Sequence, residues 1–160
     1  MNTTQEKSKL HKFILDVDLV NLVKISNESL IKIYKYLEPV PVFSKGQIDN
    51  IVDVIKRSTS SHFGVEQYPT DENKLVFIFY TIIKGHFLEN ANKRTASDIF
   101  MLFLYGSVDK RNTDLTVFDD VFEGAAEYAI KIAESKPEEK DKIIKEVEIW
   151  TSKIRLKLQA

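Results

Sequence analysis

The feature that most constrains the fold is a nearly continuous apolar run, LVFIFYTII, at residues 75–83. Its β-branched and aromatic side chains would suit a strand. However, the preceding Thr-Asp-Glu at residues 70–72 is typical of a helix N-terminus, and the following Lys-Gly at residues 84–85 is typical of a helix C-terminus. A helix that is apolar around nearly its whole circumference is a buried one. The sequence therefore predicts a central core helix here, with a strand as the alternative.

Five further segments space their apolar residues as a helix does. They are residues 26–38, 44–58, 92–106, 116–136 and 137–159. Ser44 with Gln47 has the spacing of a capping box, and Thr116 is expected to cap its own segment. Residues 58–69 are polar, contain one glycine and end in proline, which predicts a loop or a small hairpin. We therefore expect an all-α bundle of about six helices with a short β-hairpin.

Length and composition narrow the classes of protein to consider. A chain of 160 residues favours one domain, which we assign to residues 1–160. The formal net charge of −1 gives no general reason to expect nucleic acid or an anionic membrane as a partner. The N-terminal segment lacks the uninterrupted apolar stretch of a signal peptide, and the longest apolar run is too short to span a bilayer. The chain has no cysteine, which suits a reducing compartment, so we expect a cytoplasmic protein.

A strongly polar loop, HFLENANKR at residues 86–94, separates two of these core helices. The second helix is expected to begin near Asn92, and a helix N-terminus offers unpaired N–H groups and a positive dipole to an anion. Small Ala91 would let a ligand approach the backbone, and Asn92 can donate amide hydrogens. Lys93 and Arg94 add positive charge at the same place. The loop therefore predicts a site for polyphosphate.

Other residues of the loop add reactive groups to this site. His86 can accept a proton near neutral pH, as a general base must. Glu89 and Asn90 supply oxygen atoms for a Mg²⁺ ion bound to phosphates. This combination suits group transfer from a nucleotide to a hydroxyl. A structural interpretation also fits, with His86 a hydrogen-bonded residue at a helix end, Asn90 a turn residue and the two cations at a solvated helix start.

The loop and the TA that follows it resemble the signature of the Fic/Doc (Fido) family. The Doc branch reads H-x-F-x-(D/N)-(A/G)-N-K-R, and the chain matches it at His86, Asn90, Ala91, Asn92, Lys93 and Arg94. The preceding FGVEQYPTDENKLVFIFYTIIKG is similar to the flap, Tyr-Pro and core-helix run of the family. The resemblance covers about residues 62–106 and implies a Fido-type helical bundle.

The resemblance implies an enzyme that uses ATP or a related nucleotide, with Mg²⁺, to modify a Ser or Thr hydroxyl of a target protein. Most of the family transfers AMP, whereas the Doc branch phosphorylates a translation factor and acts as a toxin restrained by a separate antitoxin. His86 would be the base, Asn90 with Glu89 would hold the metal, and residues 91–94 would bind the phosphates. The target would add a strand to a flap. That flap would consist of Phe63, Gly64, Val65, Glu66, Gln67 and Tyr68.

The chain departs from the pattern of the family at four places. Leu88 stands where the pattern has phenylalanine, with the aromatic residue at Phe87 instead, and Asn90 replaces an acidic metal ligand. Lys93 stands where AMP-transferring members keep glycine, and Ser97 stands where they often carry a second arginine. The last two departures favour phosphoryl transfer over AMP transfer, which remains the first alternative. A catalytically inactive Fido domain that binds a partner or a nucleotide is the second.

The family also carries an inhibitory helix motif, (S/T)-x-x-x-E-(G/N), in many of its members. The run from Ser135 to Lys140 fails at the last position of that motif, and DVFEG has Asp119 where the hydroxyl should be. We therefore expect inhibition by a separate antitoxin.

Overall fold

The computed structural model of the protein describes residues 7–109 and 111–160, and in these ranges it is mainly helical with one two-stranded antiparallel sheet. The helices are α1 (Lys9–Asp16), α2 (Leu19–Ile33), α3 (Lys45–Arg57), α4 (Asp71–Gly85), α5 (Asn92–Gly106), α6 (Leu115–Glu134) and α7 (Lys140–Gln159), with a 3₁₀ turn at Pro137–Glu139 before α7. The strands are β1 (Ser61–His62) and β2 (Val65–Glu66). Residues 1–6, on which part of the signal-peptide expectation falls, lie outside the described ranges.

The apolar run forms α4, so the prediction of a core helix is confirmed and the strand alternative is wrong. Thr70 caps the helix by accepting a hydrogen bond from Asn73 N at 3.0 Å, and the Asn73 side chain returns one to Thr70 N. The helix packs against α1, α3, α5, α6 and α7. Its side chains are buried around most of its circumference, including Leu75, Val76, Ile78, Phe79, Ile82 and Ile83. These five helices are therefore packed around α4.

Both ends of α5 and the start of α3 lie where the sequence predicts them, but α6 begins differently. The reciprocal hydrogen bonds of Ser44 and Gln47 confirm the capping box of α3. Thr116 is not the cap of α6, because Asp114 accepts a hydrogen bond from Thr116 N at 2.8 Å and the helix starts at Leu115. Asp114 therefore caps α6 in place of Thr116.

The N-terminal part of the described chain differs most from expectation. α1, capped by Ser8, was not predicted, so the described ranges contain seven α-helices where we expected about six. It is only eight residues long and buries Leu10, His11 and Ile14, too few for a clear helical period. α2 begins earlier than predicted, at an Asp18 cap, and ends at Ile33, followed by turns up to Pro39.

The predicted hairpin is present, with Ser61 paired to Glu66 and His62 paired to Val65. Its strands begin two residues before the range that we assigned to the flap. The two-residue turn consists of Phe63 and Gly64, which both have positive φ (51° and 79°), as tight hairpin turns require.

α7 is tied to the start of α4 by Arg155. Its Nη2 lies 3.0 Å from Asp71 Oδ2, and its Nη1 lies 2.6 Å from Glu72 Oε1. Within the described residues, no helix combines the length and apolar character needed to cross a lipid bilayer.

Candidate functional site

The loop between α4 and α5 forms one wall of a cleft of about 620 Å³. The opposite side is formed by Glu38 and Pro39, after α2, and by Ala133 near the end of α6. The structure brings all seven loop residues that we predicted from sequence into this one cleft. They are His86, Glu89, Asn90, Ala91, Asn92, Lys93 and Arg94. The cleft is therefore the candidate site.

His86 ends α4 in a left-handed backbone conformation (φ 49°, ψ 44°) and is exposed on the cleft. This conformation gives His86 a different environment from the two residues that follow it. Leu88 enters the core, and the Phe87 ring lies over Gly85. A Cβ added at Gly85 would lie 2.5 Å from Phe87 Cζ, so the close contact requires glycine. Among the described residues, the imidazole does not form the hydrogen bond that the structural interpretation assigns to it.

Ala91 precedes α5 and is also left-handed (φ 65°, ψ 16°). It provides no side-chain cap, whereas Ser8, Asp18, Thr70 and Asp114 cap other helices. The first-turn N–H groups of α5 are thus left without a side-chain acceptor in the described part of the chain. An anion in the cleft can accept hydrogen bonds from them.

Asn92 has a different role from the one predicted for its side chain. Its Oδ1 accepts a hydrogen bond from Leu88 N at 3.2 Å, and its Nδ2 donates one to Leu88 O at 2.9 Å. The side-chain amide of Asn92, which we expected to face an anion, therefore binds the backbone of Leu88 within the same loop. This pair of bonds fixes the position of the residues between Leu88 and Asn92, which include Glu89 and Asn90.

The two cations of the loop are held differently. Arg94 Nη1 donates to Glu38 O at 2.5 Å, and the guanidinium lies over the Tyr34 ring, 4.6 Å from its centroid. Both partners are uncharged, so the orientation of Arg94 is fixed while its charge is retained. Lys93 is exposed and has no ion pair among the described residues. Arg94 therefore offers a fixed positive charge and Lys93 an adjustable one.

Glu89 and Asn90 both lie exposed on the wall of the cleft. In the described residues, no three His, Cys, Asp or Glu side chains come close enough to hold a metal ion among them. One carboxylate and one amide oxygen nevertheless fit a Mg²⁺ ion that takes its remaining ligands from phosphates and water. With these two ligands, a nucleotide would be needed to complete the coordination of the ion.

Three residues other than glycine have positive φ in the described ranges: Phe63, His86 and Ala91. They lie at the tip of the hairpin and at the two ends of the polar loop. Such conformations are uncommon for residues with a side chain, and they concentrate at functional sites. Hairpin and loop therefore share a backbone feature that the sequence does not reveal.

The hairpin is anchored through Glu66. Its Oε1 accepts a hydrogen bond from Lys74 Nζ at 3.1 Å, and Lys74 also donates to the carbonyl of Tyr68. His11 Nδ1 lies 2.9 Å from the same Oε1, a close contact without hydrogen-bond geometry. Lys74 is completely buried and His11 nearly so. Neither residue was predicted from the sequence, although a lysine inside the apolar α4 is a visible signal.

This network shifts the pKa values of two of its members. Burial lowers the pKa of His11, and the charge of Lys7 adds to this effect. Burial alone would raise the pKa of Glu66, but the hydrogen bond and charge of Lys74 outweigh it and lower the pKa. Neutral His11 and ionised Glu66 are therefore the forms that the fold stabilises.

The chain was compared with protein-family models, with curated proteins and with solved structures, and none of them matches it.

Proposed function

We propose that the cleft binds the phosphates of ATP or a related nucleotide and that the protein transfers the terminal phosphoryl group to a Ser or Thr hydroxyl of another protein. The observation that carries this proposal is the arrangement of the loop. The residues that match the Doc signature line one cleft beside an uncapped helix start. The strained backbone at His86 and Ala91 holds that arrangement at both ends. We propose on this basis a Doc-like member of the Fido family.

The proposed reaction assigns one role to each group of the loop. The neutral imidazole of His86 takes the proton of the acceptor hydroxyl, whose oxygen attacks the γ-phosphorus. The bond from that phosphorus to the β–γ bridging oxygen breaks, and ADP leaves with the electron pair. The N–H groups at the start of α5 and the guanidinium of Arg94 stabilise the charge on the phosphoryl oxygens. A Mg²⁺ ion held by Glu89 and Asn90 would neutralise part of the phosphate charge.

The hairpin fits the role of the flap. Phe63 and Val65 are exposed, so one side of the hairpin is open to a partner, while Glu66 fixes the other side to the bundle. An extended target segment could add a strand there. The use of ATP and an intracellular target implies a cytoplasmic protein, restrained by a separate antitoxin.

Phosphoryl transfer is favoured over AMP transfer by Lys93 and Ser97. Both line a small cavity beside Arg94, so the charged Lys93 side chain occupies space next to the phosphate site, and Ser97 gives no second guanidinium. We therefore expect the γ-phosphate, rather than the α-phosphate, to reach the acceptor.

The test is to incubate the antitoxin-free protein and a cell lysate with ATP labelled at either the α or the γ phosphate. We expect γ label on a protein, reduced about 10²–10⁴-fold in His86→Ala, the range typical of a lost general base. Arg94→Ala should also lower it, whereas the exposed Lys45→Ala on α3 should not. Label from the α position would establish AMP transfer instead, and no label from either position would support the inactive-domain alternative.

A further inference from the structure

We propose that a second cavity, a trough of about 550 Å³ between α4 and α7, binds the extended acceptor segment of the target protein, with an acidic residue next to the acceptor hydroxyl. The identity of the ligand as acceptor rests on the proposed function; the existence of a peptide site does not.

The trough has two helical walls and two distinct ends. One face of α4 and one face of α7 form the walls. Their residues are Asn73, Phe77, Tyr80, Thr81 and Lys84 on α4, and Lys140, Ile144 and Glu148 on α7. Gln67 and Tyr68, which follow the hairpin, lie at one end, and Gly85 lies at the other. The trough therefore leads from the hairpin to the residue before His86.

The length of the trough suits a short extended peptide. The wall of α4 runs from Asn73 to Gly85, which at 1.5 Å per residue is about 18 Å. An extended chain advances about 3.3 Å per residue, so roughly five or six residues would fill it. That length corresponds to an acceptor residue with its neighbours on one side.

The middle of the trough is apolar and aromatic. The rings of Tyr68 and Phe77 stack with their centroids 4.2 Å apart, and Ile144 of α7 lines the same cavity. The ring of Tyr80 lies nearer the Gly85 end, with Lys140 Nζ 5.6 Å from its centroid. An apolar or aromatic side chain, two or three residues from the acceptor, would be buried here.

The two ends of the trough differ in charge. Lys84 and Lys140 lie toward Gly85, and Lys84 Nζ donates only to an uncharged acceptor, Ser135 O, at 2.7 Å. Glu148 lies toward the hairpin, where it accepts a hydrogen bond from the Asn73 amide. Arg57 lies over the Phe77 ring at this end, but it is paired with Asp53 and does not line the trough. Asp141, the acid next to Lys140, does not line the trough, although after burial its charge is the second cause that raises the pKa of the Tyr80 hydroxyl. The complementary peptide thus has its acidic residues near the acceptor and its basic residues near the hairpin.

The end of α4 explains why the occupant is the acceptor and not the nucleotide. Ile83 and His86 line the phosphate cleft, whereas Thr81, Lys84 and Gly85 line the trough. Gly85 of the trough directly precedes His86 of the cleft, and the Phe87 ring packs over Gly85, so an acceptor hydroxyl at this end of the trough would reach His86 around the edge of that ring. The two ligands would therefore approach the imidazole from different cavities.

The experiment measures the binding of four fluorescein-labelled heptapeptides of identical composition by fluorescence anisotropy, without nucleotide. Two of them, Thr-Asp-Asp-Phe-Ala-Lys-Lys and its reversed sequence, place the acids beside threonine. The other two exchange the Asp and Lys residues. We expect one of the first two to bind about tenfold tighter than its charge-exchanged isomer, a ratio within reach of a few complementary charges.

The double variant Lys140→Glu/Glu148→Lys keeps the net charge and should remove or reverse this preference, because Lys84 is then the one cation left at the Gly85 end of the trough lining. An acidic residue suits the first turn of α7, so Lys140→Glu alone should fold and should weaken the preference. The matched control Lys142→Glu/Glu123→Lys alters exposed residues outside the trough and should keep it. Equal affinity of all four peptides, no binding, or a preference that the double variant leaves unchanged would overturn the proposal. Because binding needs no ATP, failure of phosphoryl transfer would not affect this result.

Discussion

Ala91 stands at the point where the loop becomes a helix, and its backbone carries a cost there that glycine would avoid. Its methyl group is small enough to leave the start of α5 open to the cleft. His86 also adopts a left-handed conformation, which turns its imidazole away from the core that Leu88 enters. At the scale of single residues, the site is defined by backbone conformation as much as by side-chain chemistry.

We predict that substitutions at Ala91 separate backbone strain from side-chain size. Ala91→Gly should leave the free energy of unfolding unchanged or raise it by up to about 1 kcal/mol, since glycine adopts positive φ freely. Ala91→Val should lower it by about 2 kcal/mol, because a β-branched residue fits this region poorly. Urea unfolding followed by circular dichroism measures both changes.

The control for this pair is Ala126→Val on the exposed surface of α6, which should cost only about 0.5 kcal/mol of helix propensity. Equal losses for the two valine variants would show that the conformation at Ala91 carries no strain.

At the scale of elements, the contact of α6 with α7 depends on Gly124. A Cβ built there would lie 2.3 Å from Trp150 Cζ2, so the indole lies directly against the backbone of α6. The same indole stacks on Phe100 of α5, with ring centroids 5.7 Å apart. Trp150 thereby connects three helices, and Gly124 makes room for it.

We predict opposite effects for alanine at two helical glycines. Gly124→Ala should destabilise the protein by about 1–3 kcal/mol, the usual cost of overpacking. Gly46→Ala should stabilise it by about 0.5–1 kcal/mol, because the nearest atom to its new Cβ would be Ser44 Oγ at 4.0 Å. Thermal unfolding of the two variants side by side gives the comparison, and a stabilised Gly124→Ala would contradict the packing described here.

The elements that sequence predicts well are those with a signal at both ends. α5 runs from Asn92 to Gly106 as predicted, because a polar loop and a glycine bound it. α1 was missed because its short apolar face gives no clear period. The residues of the cleft could be predicted together because they are contiguous, apart from the wall formed by Glu38, Pro39 and Ala133. The trough could not be predicted, since it requires the pairing of α4 with the distant α7.

At the scale of the whole molecule, the hairpin is joined to the bundle by groups from separate parts of the chain. His11 belongs to α1, Lys74 to α4 and Glu66 to β2. The fold therefore couples its N-terminal helix to the hairpin beside the trough, and the coupling depends on which groups are protonated.

We predict that stability falls as the pH is lowered through and below 6.5, the ordinary pKa of histidine. The lowered pKa of His11 means that the unfolded chain takes up a proton there more readily than the folded one. The lowered pKa of Glu66 acts in the same direction at more acidic pH. His11→Gln should flatten the dependence between pH 7.5 and 5.5, as measured by urea unfolding at both values.

His62→Gln, at an exposed histidine on β1, is the matched control and should keep the slope of the wild-type protein. An identical slope in His11→Gln would show that protonation of the buried imidazole does not govern stability in this range.

Because Lys74 is buried, the reactivity of its amine can serve as a probe of local opening at the hairpin. Its side chain is completely buried and its Nζ contacts Glu66 of β2 and the Tyr68 carbonyl, so acylation by a reagent in solution requires a local opening that exposes the amine. The rate of acylation at this position, read by mass spectrometry against the surface lysines of the same molecule, would therefore report how often the hairpin opens.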